Sequence, residues 1–260
     1  MKYALCIGIN DYPGTQNDLG GCVNDADDWA SELAARGFEV TKLLDRAATK
    51  GGIKRAMRAV LGRARDGDSV VFTYSGHGTW VADEDGDEVD ERDEALCPWN
   101  LTEGPLLDDE LHGIFSTCAP GARLTFISDS CHSGTVARST PAAPSGARAR
   151  YLPPATFVTD EARLSRLERA QGLPAGGKPR ITALLLSGCQ DSEYSYDAVF
   201  GKRANGAFTR VALDALKMLP ADADYAAWFA EIRRSLPSRE YPQRPNLVGT
   251  AAQRSWAVLS

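Results

Sequence analysis

The sequence predicts an α/β protein built on a largely parallel sheet with helices on both faces. Three observations carry that expectation. Short apolar runs alternate with longer segments of helical character, as βαβ units require. The 260 residues suffice for one large α/β domain or two small ones. Three of the apolar runs stop in short Gly/Ser/His/Cys/Asp clusters, and open parallel sheets gather their sites just beyond the carboxyl ends of their strands.

Taken in order, residues 3–9 form a first strand. The apolar N-terminus is short and runs straight into Asn10-Asp11-Tyr12-Pro13-Gly14 without a small-residue cleavage site, so it reads as a strand rather than a secretory signal. Asn24 is placed to cap a helix with an acidic first turn (Asp25, Asp27, Asp28) that ends near Gly37. Residues 38–44 give a second strand, and Thr49 caps a basic helix reaching about Arg65. Residues 69–74 form a third, buried strand that stops at Ser75-Gly76-His77-Gly78. A fourth, 123–128, stops at Asp129-Ser130-Cys131-His132-Ser133-Gly134, and a fifth, 181–186, at Ser187-Gly188-Cys189-Gln190-Asp191. These three ends should lie together although about fifty residues separate each from the next.

Composition narrows the function. Hydrophobic residues make up 43% and charged residues 25%, as in ordinary globular proteins. A formal net charge of −6 argues against a nucleic-acid platform, which needs a basic face. No apolar run approaches the roughly 18 residues of a membrane span. Six scattered cysteines without a C-x-x-C pair suggest reduced thiols, hence a cytoplasmic protein with neither a disulfide framework nor a zinc cluster.

The chemistry-bearing residues are a cysteine and a histidine. Thiol attack on a peptide carbonyl needs a thiolate, a proton donor for the leaving amine, and N–H donors for the oxyanion. There are three histidines, His77, His112 and His132, and His77 stands in a glycine-flanked strand end. Cys131 stands at the next strand end, 54 positions later, near the spacing of the caspase signature. Cys6, Cys97, Cys118 and Cys189 read as small buried hydrophobes, and His112 as a solvent-facing helix residue.

Around these two residues, several blocks resemble the prokaryotic metacaspase type of caspase-like cysteine peptidase (clan CD, family C14). They are Leu19-Gly20-Gly21-Cys22-Val23-Asn24-Asp25, the His77 and Cys131 motifs, Leu107-Asp108-Asp109-Glu110-Leu111 and Ser187-Gly188-Cys189-Gln190-Asp191, with weaker matches at Gly206-Ala207-Phe208-Thr209 and Tyr241-Pro242-Gln243. The resemblance implies a caspase-like fold with a mostly parallel central sheet of about six strands. It implies a single peptidase domain over 1–260: a large-subunit-like part (1–134), a flexible Arg-rich processing loop (135–180) and a small-subunit-like part (181–260). It also implies His77 and Cys131 as the catalytic dyad, an oxyanion hole from the N–H groups of Gly78 and Cys131, and a basic-residue pocket lined by Asp25, Ser75 and Asp129.

Regulation follows from the same likeness. Family calcium positions match Asp93, Asp108 and Asp109, but the fourth falls on Arg138. An arginine cannot ligate a hard cation, so no cofactor is required and Ca²⁺ dependence is expected to be weak or absent. The loop carries Arg138, Arg148, Arg150, Arg163, Arg166, Arg169, Lys178 and Arg180, so an enzyme cutting after Arg or Lys could process itself or be processed by an upstream protease. The expected partners are proteins with exposed Arg or Lys, without nucleic acid or membrane, met by a monomer. A catalytically silent caspase-like scaffold is the alternative; the retention of His77, Cys131, Asp25 and Asp129 argues against it. A serine hydrolase would need the G-x-S-x-G elbow, which is lacking.

Overall fold

The computed structural model describes residues 1–14, 16–82, 92–131, 146–158, 182–190 and 193–260. Its centre is a six-stranded sheet. The strands are β1 (Lys2–Gly8), β2 (Glu39–Leu44), β3 (Ser69–Ser75), β7 (Arg123–Asp129), β9 (Leu184–Ser187) and β12 (Asn246–Val248), in the spatial order β12-β9-β7-β3-β1-β2. Every pairing is parallel except β12 with β9. The expected α/β class and the mostly parallel sheet are therefore both present. The antiparallel edge strand β12 was not foreseen, and the fifth expected strand begins at Leu184 within the described residues.

Alternation along the strands explains the two-sided core. On β1, Tyr3, Leu5 and Ile7 face one cluster and Ala4 and Cys6 the other, as a period of two requires. The first cluster takes α2 (Lys50–Arg63) through Ile53 and Met57, and α3 (Asp108–Phe115) through Leu111 and Phe115. The second takes α1 (Cys22–Ala35) through Trp29, α4 (Ala207–Leu216) through Phe208, and α5 (Tyr225–Ser235) through Trp228. A short helix, α6 (Ala251–Arg254), follows β12 and is capped by Thr250.

Two small antiparallel sheets stand over the carboxyl edge. One joins β4 (Gly78–Ala82), β5 (Arg92–Leu96) and β6 (Leu106–Leu107); the other joins β8 (Arg148–Ala149), β10 (Tyr196–Phe200) and β11 (Arg203–Gly206). Neither was expected, because strands of two to five residues leave little periodicity to read. Thus residues 146–158, part of the segment expected to be a flexible loop, include a paired strand.

Two local expectations need correction. Thr49 caps α2 as foreseen, its hydroxyl accepting from the N–H of Gly52. Asn24, however, is no cap: α1 begins at Cys22, and the Oδ1 of Asn10 accepts from the N–H groups of Cys22 and Val23 at 2.8 and 3.2 Å. A residue twelve positions upstream thus supplies the acceptor that local pattern assigned to Asn24, whose amide instead donates to the carbonyl of Ala204. His112 is half-buried on α3 rather than solvent-facing.

Trp228 is completely buried, and its indole N–H donates to the carbonyl of Ala212 at 2.9 Å. Trp228→Ala is expected to lower stability by about 3–5 kcal/mol, read from denaturant unfolding.

Candidate active site

The register of the sheet brings the predicted residues to one place. Ser75 of β3 lies opposite Asp129 of β7, and Ser128 opposite Ser187 of β9, so the three strand ends meet at one edge. His77 is gripped through its backbone there. Its N–H donates to the hydroxyl of Tyr12 (2.7 Å), while its carbonyl accepts from the hydroxyl of Tyr74 (2.7 Å) and the N–H of Cys97 (2.9 Å). A Cβ on Gly76 would come within 2.6–2.7 Å of both tyrosine oxygens, so only glycine lets the two hydroxyls close on this turn.

The imidazole is buried. Its Nε2 lies 2.6 Å from the carbonyl of Asn17, which can only accept, so the proton sits on Nε2. Nδ1 is buried, and among the described residues it has no hydrogen-bond partner. Burial is the main cause that pushes the His77 pKa down to about 4, leaving a neutral ring with one unengaged basic nitrogen at neutral pH.

Cys131 is also buried, and the N–H of Ser195 donates to its Sγ. Its own N–H donates to the carbonyl oxygen of Arg150 at 3.2 Å, and the N–H of Gly78 donates to the same oxygen at 2.9 Å. The two N–H groups expected to form an oxyanion hole therefore converge on one carbonyl, which belongs to the chain itself.

The guanidinium of Arg150 is fully buried among three carboxylates. Nη2 is 2.7 Å from Asp25 and 2.9 Å from Asp197, and Nη1 is 3.1 Å from Asp129. Each carboxylate is held from behind. Asp25 accepts from the amide of Asn205 and the N–H of Gly206. Asp129 accepts from the hydroxyls of Ser195 and Thr209 and the N–H of Thr209. Asp197 accepts from the N–H groups of Gly20 and Gly21. Burial raises the Asp25 pKa to about 6, with Arg150 opposing and Asp129 reinforcing the rise. Burial also works against the charge on Arg150, but Asp129, Asp25 and Asp197 outweigh it and hold the group well above the ordinary arginine range.

The remaining predicted residues are placed as follows. Ser75 is buried opposite Asp129 but is not among the hydrogen-bond partners of the guanidinium. Arg148 is exposed, and its Nη1 donates to the carbonyl of Asp18 at 2.6 Å. Asp93 sits on β5, and Asp108 and Asp109 open α3. Among the described residues no three His, Cys, Asp or Glu side chains are grouped as a metal ion needs. His132, Arg138, Arg163, Arg166, Arg169, Lys178 and Arg180 lie outside the described residues. Among the described residues no helix is long and apolar enough to cross a membrane.

A fold with a cysteine and a histidine at adjacent strand ends, beside an acidic pocket, defines a caspase-type arrangement, and comparison with known proteins agrees. The caspase-domain family model matches residues 1–255, and the chain belongs to that family of cysteine-type peptidases. Metacaspase-1 of Scheffersomyces stipitis is 31% identical over 95% of this chain and 70% of its own length. Metacaspase-1 of Cryptococcus neoformans is 34% identical over 95% of this chain and 62% of its own length. Metacaspase-3 of Arabidopsis thaliana is 35% identical over 83% of this chain and 59% of its own length, so the chain spans three-fifths to two-thirds or so of such relatives. Among solved structures, protein GSU0716 from Geobacter sulfurreducens superposes with a TM-score of 0.75 at 31% identity, covering 100% of this chain and 98% of that one. Caspase-1 of Spodoptera frugiperda superposes at 0.58 with 11% identity, covering 95% of this chain and 86% of the other, a likeness of fold alone.

Sequence reasoning missed Asp197, Ser195, Asn205, Thr209 and Gln243. Gln243 is fully buried and braces the segment that carries Ser195, donating to the carbonyl of Gly188 (2.8 Å) and the hydroxyl of Ser195 (3.2 Å). Thr209 and Gln243 did stand in the weaker matching blocks, and that was the available signal.

Two outcomes follow. A Cβ on Gly206 would collide with the Asp129 carboxylate and the Arg150 guanidinium, so Gly206→Ala is expected to cost about 1–3 kcal/mol in denaturant unfolding. The folded pKa of Asp25 is about 6, above the ordinary carboxylate value of about 3.8, so this group's contribution to stability is full below about pH 4 and is lost as pH rises through about 6. Subtracting the stability–pH profile of Asp25→Asn from that of the wild type should reveal that downward slope.

Proposed function

We propose that the chain is an endopeptidase that cuts after Arg or Lys through Cys131 and His77, made as a zymogen whose cleft must be cleared before it acts on other proteins. The observation that carries this reading is the posture of Arg150. Its guanidinium lies among Asp25, Asp129 and Asp197 while its carbonyl accepts from the N–H groups of Gly78 and Cys131. One residue thus fills a cation pocket and an oxyanion hole together.

The division of labour follows from the donors present. The thiol proton passes to the unengaged Nδ1 of His77, with Nε2 tied to Asn17 throughout. The thiolate, receiving the N–H of Ser195, attacks the carbonyl carbon of the basic residue. The N–H groups of Gly78 and Cys131 hold the oxyanion, and Nδ1 returns its proton to the leaving amine. Water then releases the acyl group. Three carboxylates cannot be neutralised by an acidic substrate side chain, which would be repelled; a guanidinium or ammonium matches them through charge-assisted hydrogen bonds.

Fluorogenic peptides ending in Arg or Lys are expected to turn over at least about 100-fold faster than those ending in Asp once the cleft is open. Cys131→Ala abolishes the turnover, and comparable hydrolysis of the Asp peptides would overturn the specificity. KM for the Arg peptide should rise as pH falls and Asp25 takes up a proton, because the neutral carboxyl no longer pairs with the incoming cation.

A further inference from the structure

We infer that the pocket accepts a substrate arginine only when both terminal nitrogens of its guanidinium are unmethylated, so that methylation of that arginine protects the bond after it. The inference rests on the peptidase reading above and concerns a feature of the substrate that charge alone does not decide.

Arg150 reports what the pocket asks of a guanidinium. Its Nη2 donates to Asp25 Oδ2 at 2.7 Å and to Asp197 Oδ1 at 2.9 Å. Its Nη1 donates to the carbonyl of Asp129 at 3.2 Å and stands 3.1 Å from Asp129 Oδ2. Each terminal nitrogen carries two hydrogens and so meets two oxygens. Nε is also buried, yet among the described residues it has no hydrogen-bond partner. The polar contacts are therefore concentrated at the far end of the group, on the two nitrogens that ω-N-methylation alters.

The oxygens that make these contacts are fixed from behind. Asp25 accepts from the amide of Asn205 and the N–H of Gly206, Asp197 from the N–H groups of Gly20 and Gly21, and Asp129 from the N–H and hydroxyl of Thr209. None can swing aside without giving up a partner of its own. The walls are also close. A single carbon added to Gly206 would collide with the Asp129 carboxylate and stand 2.6 Å from Nη1, and one added to Gly21 would stand 2.6 Å from Asp197 Oδ1. The side chain of Arg150 is fully buried, so a methyl group has no path out to solvent.

Methylation keeps the positive charge of arginine but takes away a donor. On Nη2 the methyl displaces Asp25 or Asp197, and on Nη1 it displaces an oxygen of Asp129. Turning the group about its stem only changes which oxygen is lost. Each arrangement leaves a buried acceptor unpaired and forces a carbon into a wall that lacks room for one. A pocket that answered to charge alone would treat the methylated and unmethylated side chains alike.

The test compares kcat/KM for fluorogenic peptides that differ only in the residue before the reporter: arginine, ω-N-monomethylarginine, and symmetric and asymmetric dimethylarginine. The enzymes are the full-length wild type and Arg150→Gln, which takes the resident cation out of the pocket and is checked for folding by circular dichroism. Loss of one charge-assisted partner is expected to slow the monomethyl peptide at least about tenfold, and the dimethyl peptides further still. If the arginine peptide is cut and the monomethyl peptide follows within about tenfold, the inference is overturned while the peptidase reading stands. If wild type and folded Arg150→Gln both leave the arginine peptide intact, the peptidase reading falls and this inference with it.

Discussion

A single buried cation organises the carboxyl edge of this protein. Moving an arginine and three carboxylates out of water is unfavourable by several kcal/mol per ion, and mutual attraction repays this only when the remaining donors and acceptors are also satisfied. Each carboxylate here receives hydrogen bonds from a different part of the chain: Asp25 from Asn205 and Gly206, Asp129 from Ser195 and Thr209, Asp197 from Gly20 and Gly21. The cluster therefore ties the start of α1 and the end of β7 to the β10–β11 hairpin and the start of α4. Burial raises the Asp25 pKa to about 6, with Arg150 opposing the rise and Asp129 reinforcing it.

The sheet and the positions of His77 and Cys131 were legible because their signals are local or repeated. Buried parallel strands read as apolar runs, and His77 and Cys131 each sit inside a dense polar motif at a strand end. Asp25 and Asp129 were legible for the same reason, each standing in a block that resembles the family. Asp197 was not, because Tyr196–Phe200 contains no motif and its carboxylate acquires meaning only when Gly20 and Gly21 fold against it. The cap supplied by Asn10 was hidden in the same way, since the acceptor comes from the loop after β1 and not from the residues flanking α1. Among the arginines of the loop, Arg150 looks no different from Arg148 in sequence. One ends buried among Asp25, Asp129 and Asp197, and the other exposed with its Nη1 on the carbonyl of Asp18.

The order of strands carries a consequence of another kind. The segment 148–152 falls between β7 and β9, which are hydrogen-bonded neighbours in the central sheet, and β12 lies beyond β9. Breaking the chain at residue 150 therefore does not divide the molecule into two bodies. The pieces share one sheet and one core, with Trp29 of α1 against Trp228 of α5 at 6.1 Å between ring centroids. What changes is the molecularity of unfolding. An intact chain melts at a temperature independent of its concentration, whereas the nicked protein comes apart as two strangers and gains stability by mass action as it is concentrated. A cut in that segment would make the protein's stability a function of how much of it is present.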